Sequence, residues 1–186
     1  MRRLAALAHT CAGLALAATL AAAPAGPAGV DSVSDVAVKA AFLFNFAKFA
    51  EWPSLSAGAR IVVCVVGDES LATAVTQTLR GKAINGHDFD VWQPHDSANW
   101  HGCQLLFMSD ADTRRFSAGL DAVKALPVLT VSDGAGFSEA GGIIELYVEA
   151  GRMRFAINVD AVERSGVRIS SRLLGLARVV RNGHAQ

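Results

Sequence analysis

Apolar residues are distributed in three different rhythms along this chain, and each rhythm implies a different element. Between residues 34 and 50, Phe42, Phe46 and Phe49 recur at helical spacing, with Phe44 on the opposite side and Val36 and Leu43 between. Such a pattern predicts a helix capped at Ser34, apolar on most of its circumference, and stopped by Pro53 just after Glu51 and Trp52. Three short runs then read as strands covered on both faces: Arg60–Gly67, Cys103–Ser109 and Pro127–Ser132. Amphipathic helices over 69–79 and 112–125 alternate with them, with a further strand at 89–92 and a polar loop over 93–102. The final third alternates strictly: Ile143–Glu149 and Arg152–Asn158 form a hairpin through Ala150-Gly151. A helical turn over 160–165 follows, then a last helix capped at Ser170 or Ser171 with Leu173, Leu176, Ala177 and Val180 inward. The sum is an α/β fold: one three-layer domain with a mostly parallel central sheet, helices on both faces, and a C-terminal hairpin plus helix.

The first 28 residues belong to none of this. Arg2 and Arg3 precede an apolar stretch from Leu4 to Ala23, and small residues surround Pro24 and Pro27, the layout of a cleaved secretory signal. The alternative is a membrane anchor, against which the Ala-rich run and the two prolines argue. Residues 1–28 are therefore expected to be removed, leaving 29–186 as the folded domain in the periplasm.

Composition then narrows the function. With 17 basic and 17 acidic residues in the full chain, loss of Arg2 and Arg3 leaves a net charge of about −2. A near-neutral domain offers no broad footprint for nucleic acid. Of three cysteines, Cys11 leaves with the signal, and an exported protein with two remaining most simply pairs them, Cys64 with Cys103. The alternative is two buried free thiols.

Candidate chemistry is sparse. The run Gly134–Gly142 lacks the Lys-Ser/Thr ending of a P-loop and carries Glu139 where a dinucleotide loop needs its third glycine, so a tight connection is the better reading. His87, Asp88, Asp90, His95, Asp96 and His101 crowd one polar region without a metal-ligand spacing, and no metal is expected. No catalytic arrangement can be nominated, and neither an enzymatic activity nor a cofactor is expected. What remains are contact residues. Arg168 and Arg172 suit an anionic ligand or an acidic partner patch, and Trp52, Phe44 and Lys48 lie on or beside the phenylalanine-rich helix.

The segment Val38–Pro53, the Val62–Gly67 strand, the Gly136–Gly142 run, Phe155–Asn158 and Ile169–Ala177 together resemble the YfiR family of periplasmic proteins, over essentially all of the mature chain. The resemblance implies a regulator that binds and inhibits the periplasmic sensor domain of a membrane-bound, YfiN-like diguanylate cyclase. Cyclic di-GMP and biofilm formation would thereby be lowered. It also implies a homodimer and a bridge at the Cys64 and Cys103 positions, whereas a second bridge of the family has no cysteines here. The alternative is a periplasmic small-molecule-binding module feeding another membrane sensor, such as a histidine kinase.

Overall fold

The structure is a computed structural model that describes residues 30–110 and 117–181. The signal segment, residues 1–28, lies outside them, as does the start of the helix expected at 112.

Helix α1 (Val30–Lys48) leads into a two-residue strand β1 (Ala50–Glu51). The helix already runs at Val30, so Ser34 lies inside it and is not its cap. Next come β2 (Ile61–Val66) and α2 (Glu69–Leu79). Asp68 caps α2 by accepting a 2.8 Å hydrogen bond from the Leu71 amide, so its limits coincide with those expected. Strands β3 (Ala83–Ile84) and β4 (His87–Trp92) form a hairpin that the sequence reading passed over. Its turn is Asn85-Gly86, both at positive φ, the conformation that matches the twist of paired strands and that this dipeptide tolerates best. The loop to β5 (Leu105–Met108) contains a 3-10 helix, Ser97–Gly102. Helix α3 (Ser117–Val123), strand β6 (Leu129–Ser132) and the hairpin β7 (Ile144–Glu149) and β8 (Arg152–Asn158) follow. The chain ends with α4 (Val159–Ser165), β9 (Arg168–Ile169), α5 (Ser171–Leu174) and β10 (Arg178–Val180).

Eight strands form one sheet in the order β10-β8-β7-β6-β5-β2-β4-β3. Only β3–β4 and β7–β8 pair antiparallel within it; the other pairings are parallel. On one face, Ile61, Val63, Val65, Leu105, Phe107, Leu129 and Val131 pack against α1 and α2. On the other, Cys64, Val66, Leu106 and Met108 pack against Trp100, Leu120, Val123 and Phe137 from the 3-10 helix, α3 and the glycine-rich loop. The three layers are those the apolar runs predict.

The last helix is the main correction. It stops at Leu174; Leu176 is 72% exposed, and Arg178–Val180 pairs parallel with β8 as the sheet's edge strand. Gly175 weakens a continuing helix, and Val179-Val180 suits a strand that can take up the open ladder of β8.

Two devices fasten the layers. Cys64 and Cys103 are joined across 39 residues with Cα atoms 5.9 Å apart, and both are buried. The bridge ties β2 to the end of the 3-10 helix on the second face. Close approach there also depends on Gly119 of α3, where a Cβ would lie 2.3 Å from that of Ser97 and 2.9 Å from the Trp100 ring. On the first face Lys39 of α1 reaches Asp35 and Asp133, each at 2.8 Å, and so pins the helix to the carboxyl end of β6. Burial opposes the Lys39 ammonium. Its hydrogen bonds to Asp133 and Asp35 and their two negative charges outweigh that, so its pKa is raised.

Replacing both bridge cysteines with alanine should lower unfolding stability by about 2–4 kcal/mol in urea titrations, since a 39-residue loop in the unfolded chain is then released. Unchanged stability on removing the bridge would refute its structural role. For Lys39, a pKa raised on folding means a contribution fully present below the unfolded value of 10.5 and lost as pH climbs through the folded value. Lys39→Met should therefore cost about 1–3 kcal/mol at pH 7, with the gap to wild type shrinking above pH 10.5. A gap that persists at strongly alkaline pH would show that the loss comes from packing alone.

Candidate functional site

Strand β1 pairs antiparallel with β9, Ala50 opposite Ile169 and Glu51 opposite Arg168. The amide of Ser170 also donates to the Phe49 carbonyl at 2.9 Å. Two segments more than a hundred residues apart thus form one corner of the molecule, and Lys48, Arg168 and Arg172 stand exposed on it, with Glu51 among them. Ser170 caps α5 there, its hydroxyl accepting from the Leu173 amide at 3.4 Å, while Leu173 turns into the core. The corner carries Glu51 and Arg168 on two-residue strands, Arg172 on a single helical turn and Lys48 at the end of α1.

Trp52 and Phe44 take other positions. Trp52 is only 8% exposed, and its Nε1–H donates to the Gln104 carbonyl at 3.0 Å. Gln104 is a junction: its carbonyl also accepts from Leu129, its amide donates to Val62, and its side-chain oxygen accepts from the Val62 amide. Trp52 therefore anchors the corner to the amino ends of β2, β5 and β6 and presents little surface of its own. Phe44 is half-buried on another side of α1, its ring centroid 6.2 Å from that of Phe89 on β4 and 4.2 Å from the Lys82 ammonium. The β1–β9 pairing brings the chain segment after Lys48 alongside the one that carries Arg168 and Arg172, whereas Phe44 packs against Phe89 on β4.

The glycine-rich loop has a partner within the chain. The amides of Gly136 and Ser138 donate to the Glu145 carboxylate at 3.3 and 3.0 Å, and the Ser138 hydroxyl donates at 2.7 Å. The Asn158 side-chain amide holds the Ser138 carbonyl at 2.6 Å. In a phosphate-binding loop such amides point at the ligand; here they point at a buried carboxylate of β7. Glu145 was missed in the sequence, although an acid between Ile144 and Leu146 in the buried first half of β7 is the visible signal. The polar region is likewise put to structural use. His87 Nδ1 lies 2.7 Å from the Ala59 carbonyl, Asp90 pairs with Arg60 at 2.8 Å, and Asp96 caps the 3-10 helix. Among the described residues no group of three or more His, Cys, Asp or Glu side chains is placed to hold a metal ion. No helix among them is long and apolar enough to cross a membrane.

A doubly covered, mostly parallel α/β sheet stapled by one disulfide defines the structural class of this domain. A sequence model of the YfiR/HmsC-like family matches residues 36–178, from within α1 to the first residue of β10. The chain belongs to that family, whose members are periplasmic regulators of diguanylate cyclase signalling. The family's compartment agrees with the disulfide, a bond favoured in oxidising environments.

Trp52→Phe should separate the two readings of this residue. Loss of the hydrogen bond to Gln104 should cost about 1 kcal/mol in urea titrations. Unaltered stability accompanied by weakened partner binding would instead make Trp52 a contact residue.

Proposed function

We propose that this protein binds the periplasmic sensor domain of an inner-membrane diguanylate cyclase and holds the enzyme in its inactive state. Family membership over residues 36–178 is the observation that carries the reading. The fold supports it. A regulator of this kind acts by binding one conformation of its partner better than another, and it can shift the equilibrium only by that differential affinity. What such a regulator needs is a rigid body with an accessible contact surface, and the covered sheet and its anchored corner supply both. Lys48, Arg168 and Arg172 form the proposed contact patch, with Glu51 fixing its sign pattern at one edge; Arg168 and Arg172 are also the groups that would meet a small anionic ligand. The working form is a homodimer, exported to the periplasm with cleavage of the signal between Ala25 and Val30.

Deleting the gene should raise cellular cyclic di-GMP and biofilm mass, and the wild-type chain supplied from a plasmid should restore both. Arg168→Glu with Arg172→Glu should fail to restore them while reaching wild-type levels in the periplasm. Cyclic di-GMP that stays level on deletion would remove the cyclase from the reading.

A further inference from the structure

Among the described residues, the cover over the β7–β8 part of the second face reaches only as far as Glu145. Beyond that residue, towards the β7–β8 turn, the glycine-rich loop no longer reaches, and the strands lie open: Glu149, Arg152 and Arg154 are exposed and Tyr147 is half-exposed. Strand register defines what this open face carries. Tyr147 stands opposite Arg154, Glu149 opposite Arg152, and Glu145 opposite Ala156, so all six side chains share the face. Arg178 of the edge strand β10 stands beside Ala156 and shares it too. Its guanidinium carbon lies 4.7 Å from the centre of the Tyr147 ring. Among the described residues, three guanidinium groups thus lie on one open sheet face against a single exposed carboxylate, Glu149. That carboxylate approaches Arg154 only at 3.8 Å, with both side chains more than half exposed, so water screens the pair and leaves the face with an uncompensated positive charge.

We infer that this face, built by Arg152, Arg154 and Arg178 around Tyr147, is a docking surface for an acidic, extended segment of a partner protein. It is distinct from the corner of Arg168 and Arg172 and adds a second contact to the reading above, on which its biological role rests. Charge complementarity selects the sign of the occupant, and spacing selects its shape. Arg152 and Arg154 are two residues apart on one strand, about 6.8 Å, the distance at which alternate side chains repeat along any extended chain. An extended segment with carboxylates at alternate positions therefore matches both arginines at once. Arginine forms the bidentate pair with each carboxylate that lysine cannot. The Tyr147 ring beneath Arg178 restrains that third guanidinium, which lowers the entropy lost when it engages a partner.

The test uses the folded chain and a fluorescein-labelled peptide of alternating aspartate and threonine, with its asparagine counterpart as control, read by fluorescence anisotropy. The aspartate peptide should bind at least tenfold tighter than the asparagine peptide and weaken as salt is raised. Arg152→Gln with Arg154→Gln should weaken it at least tenfold while the thermal midpoint stays at the wild-type value. Equal binding of the two peptides to the wild-type chain, a comparison that needs no variant, would overturn the inference. So would full affinity in the double variant. Sedimentation of the protein with phosphatidylglycerol vesicles, without binding of the aspartate peptide, would also overturn it by assigning the face to lipid phosphate. None of these readouts involves a cyclase, so a failed peptide assay and unchanged cyclic di-GMP on gene deletion are separable results.

Discussion

Gln104 is the constraint on which the parallel half of the sheet depends. It lies just before β5, and its backbone and side chain together bond to β2 on one side and to the start of β6 on the other. Its carbonyl is then shared by the indole of Trp52. The half-buried Gln104 side chain used this way pairs the Val62 amide, a group that would otherwise cost on the order of 1–3 kcal/mol to bury unpaired. The register of β2, β5 and β6 at their amino ends and the placing of the segment after α1 thus have a single common anchor. Because that segment carries β1, and β1 pairs with β9, the anchor also positions Arg168 and Arg172. The exposed corner is rigid because something buried holds it.

Much of this was legible in the sequence, where local signals and global fold agree. The continuous apolar runs gave buried parallel strands, and Asp68 set the start of α2 where expected. Cys64 and Cys103 pair because adjoining segments bring them together on one face. What was illegible depended on competition between elements. Leu176, Ala177 and Val180 have helical spacing, but a free edge on β8 took Arg178–Val180 into the sheet, and no periodicity within the segment announces that offer. Trp52 was read as a contact residue from its type and its neighbours. Only the fold shows that its indole has a carbonyl to meet inside. Lys39 illustrates the same limit: Asp35 one turn earlier was visible, while Asp133, ninety-four residues away, was not.

The glycine-rich loop shows how a motif can be present in composition and absent in chemistry. Its amides converge, as in anion-binding loops, yet the anion they meet is Glu145 of the same chain. An internal carboxylate gives the loop one stable geometry and removes the vacancy a nucleotide would need. Three groups of the polar histidine and aspartate region follow the same course: His87 meets a carbonyl, Asp90 a guanidinium and Asp96 an amide. Glu145, His87, Asp90 and Asp96 thus hold loops and strand ends in place.

With the buried polar groups committed to structure, the signs and positions of exposed charges determine what the protein can distinguish. The two cationic surfaces sit on elements held very differently. The corner of Lys48, Arg168 and Arg172 joins the end of α1 to a two-residue strand and a single helical turn, fixed by Trp52 and Ser170. The open face of Arg152, Arg154 and Arg178 belongs to the main sheet itself, where strand register alone sets the spacing of the charges. A partner that engages both must match a separation the protein cannot easily adjust, since the β8 strand joins one to the other through α4. Two modest electrostatic contacts at a fixed separation discriminate better than one strong contact, because a wrong partner that satisfies one surface is misplaced at the other. On the proposed reading, the stiffness of the sheet would be the source of specificity, and the disulfide and the Lys39 ion pairs hold together the layers on which it depends.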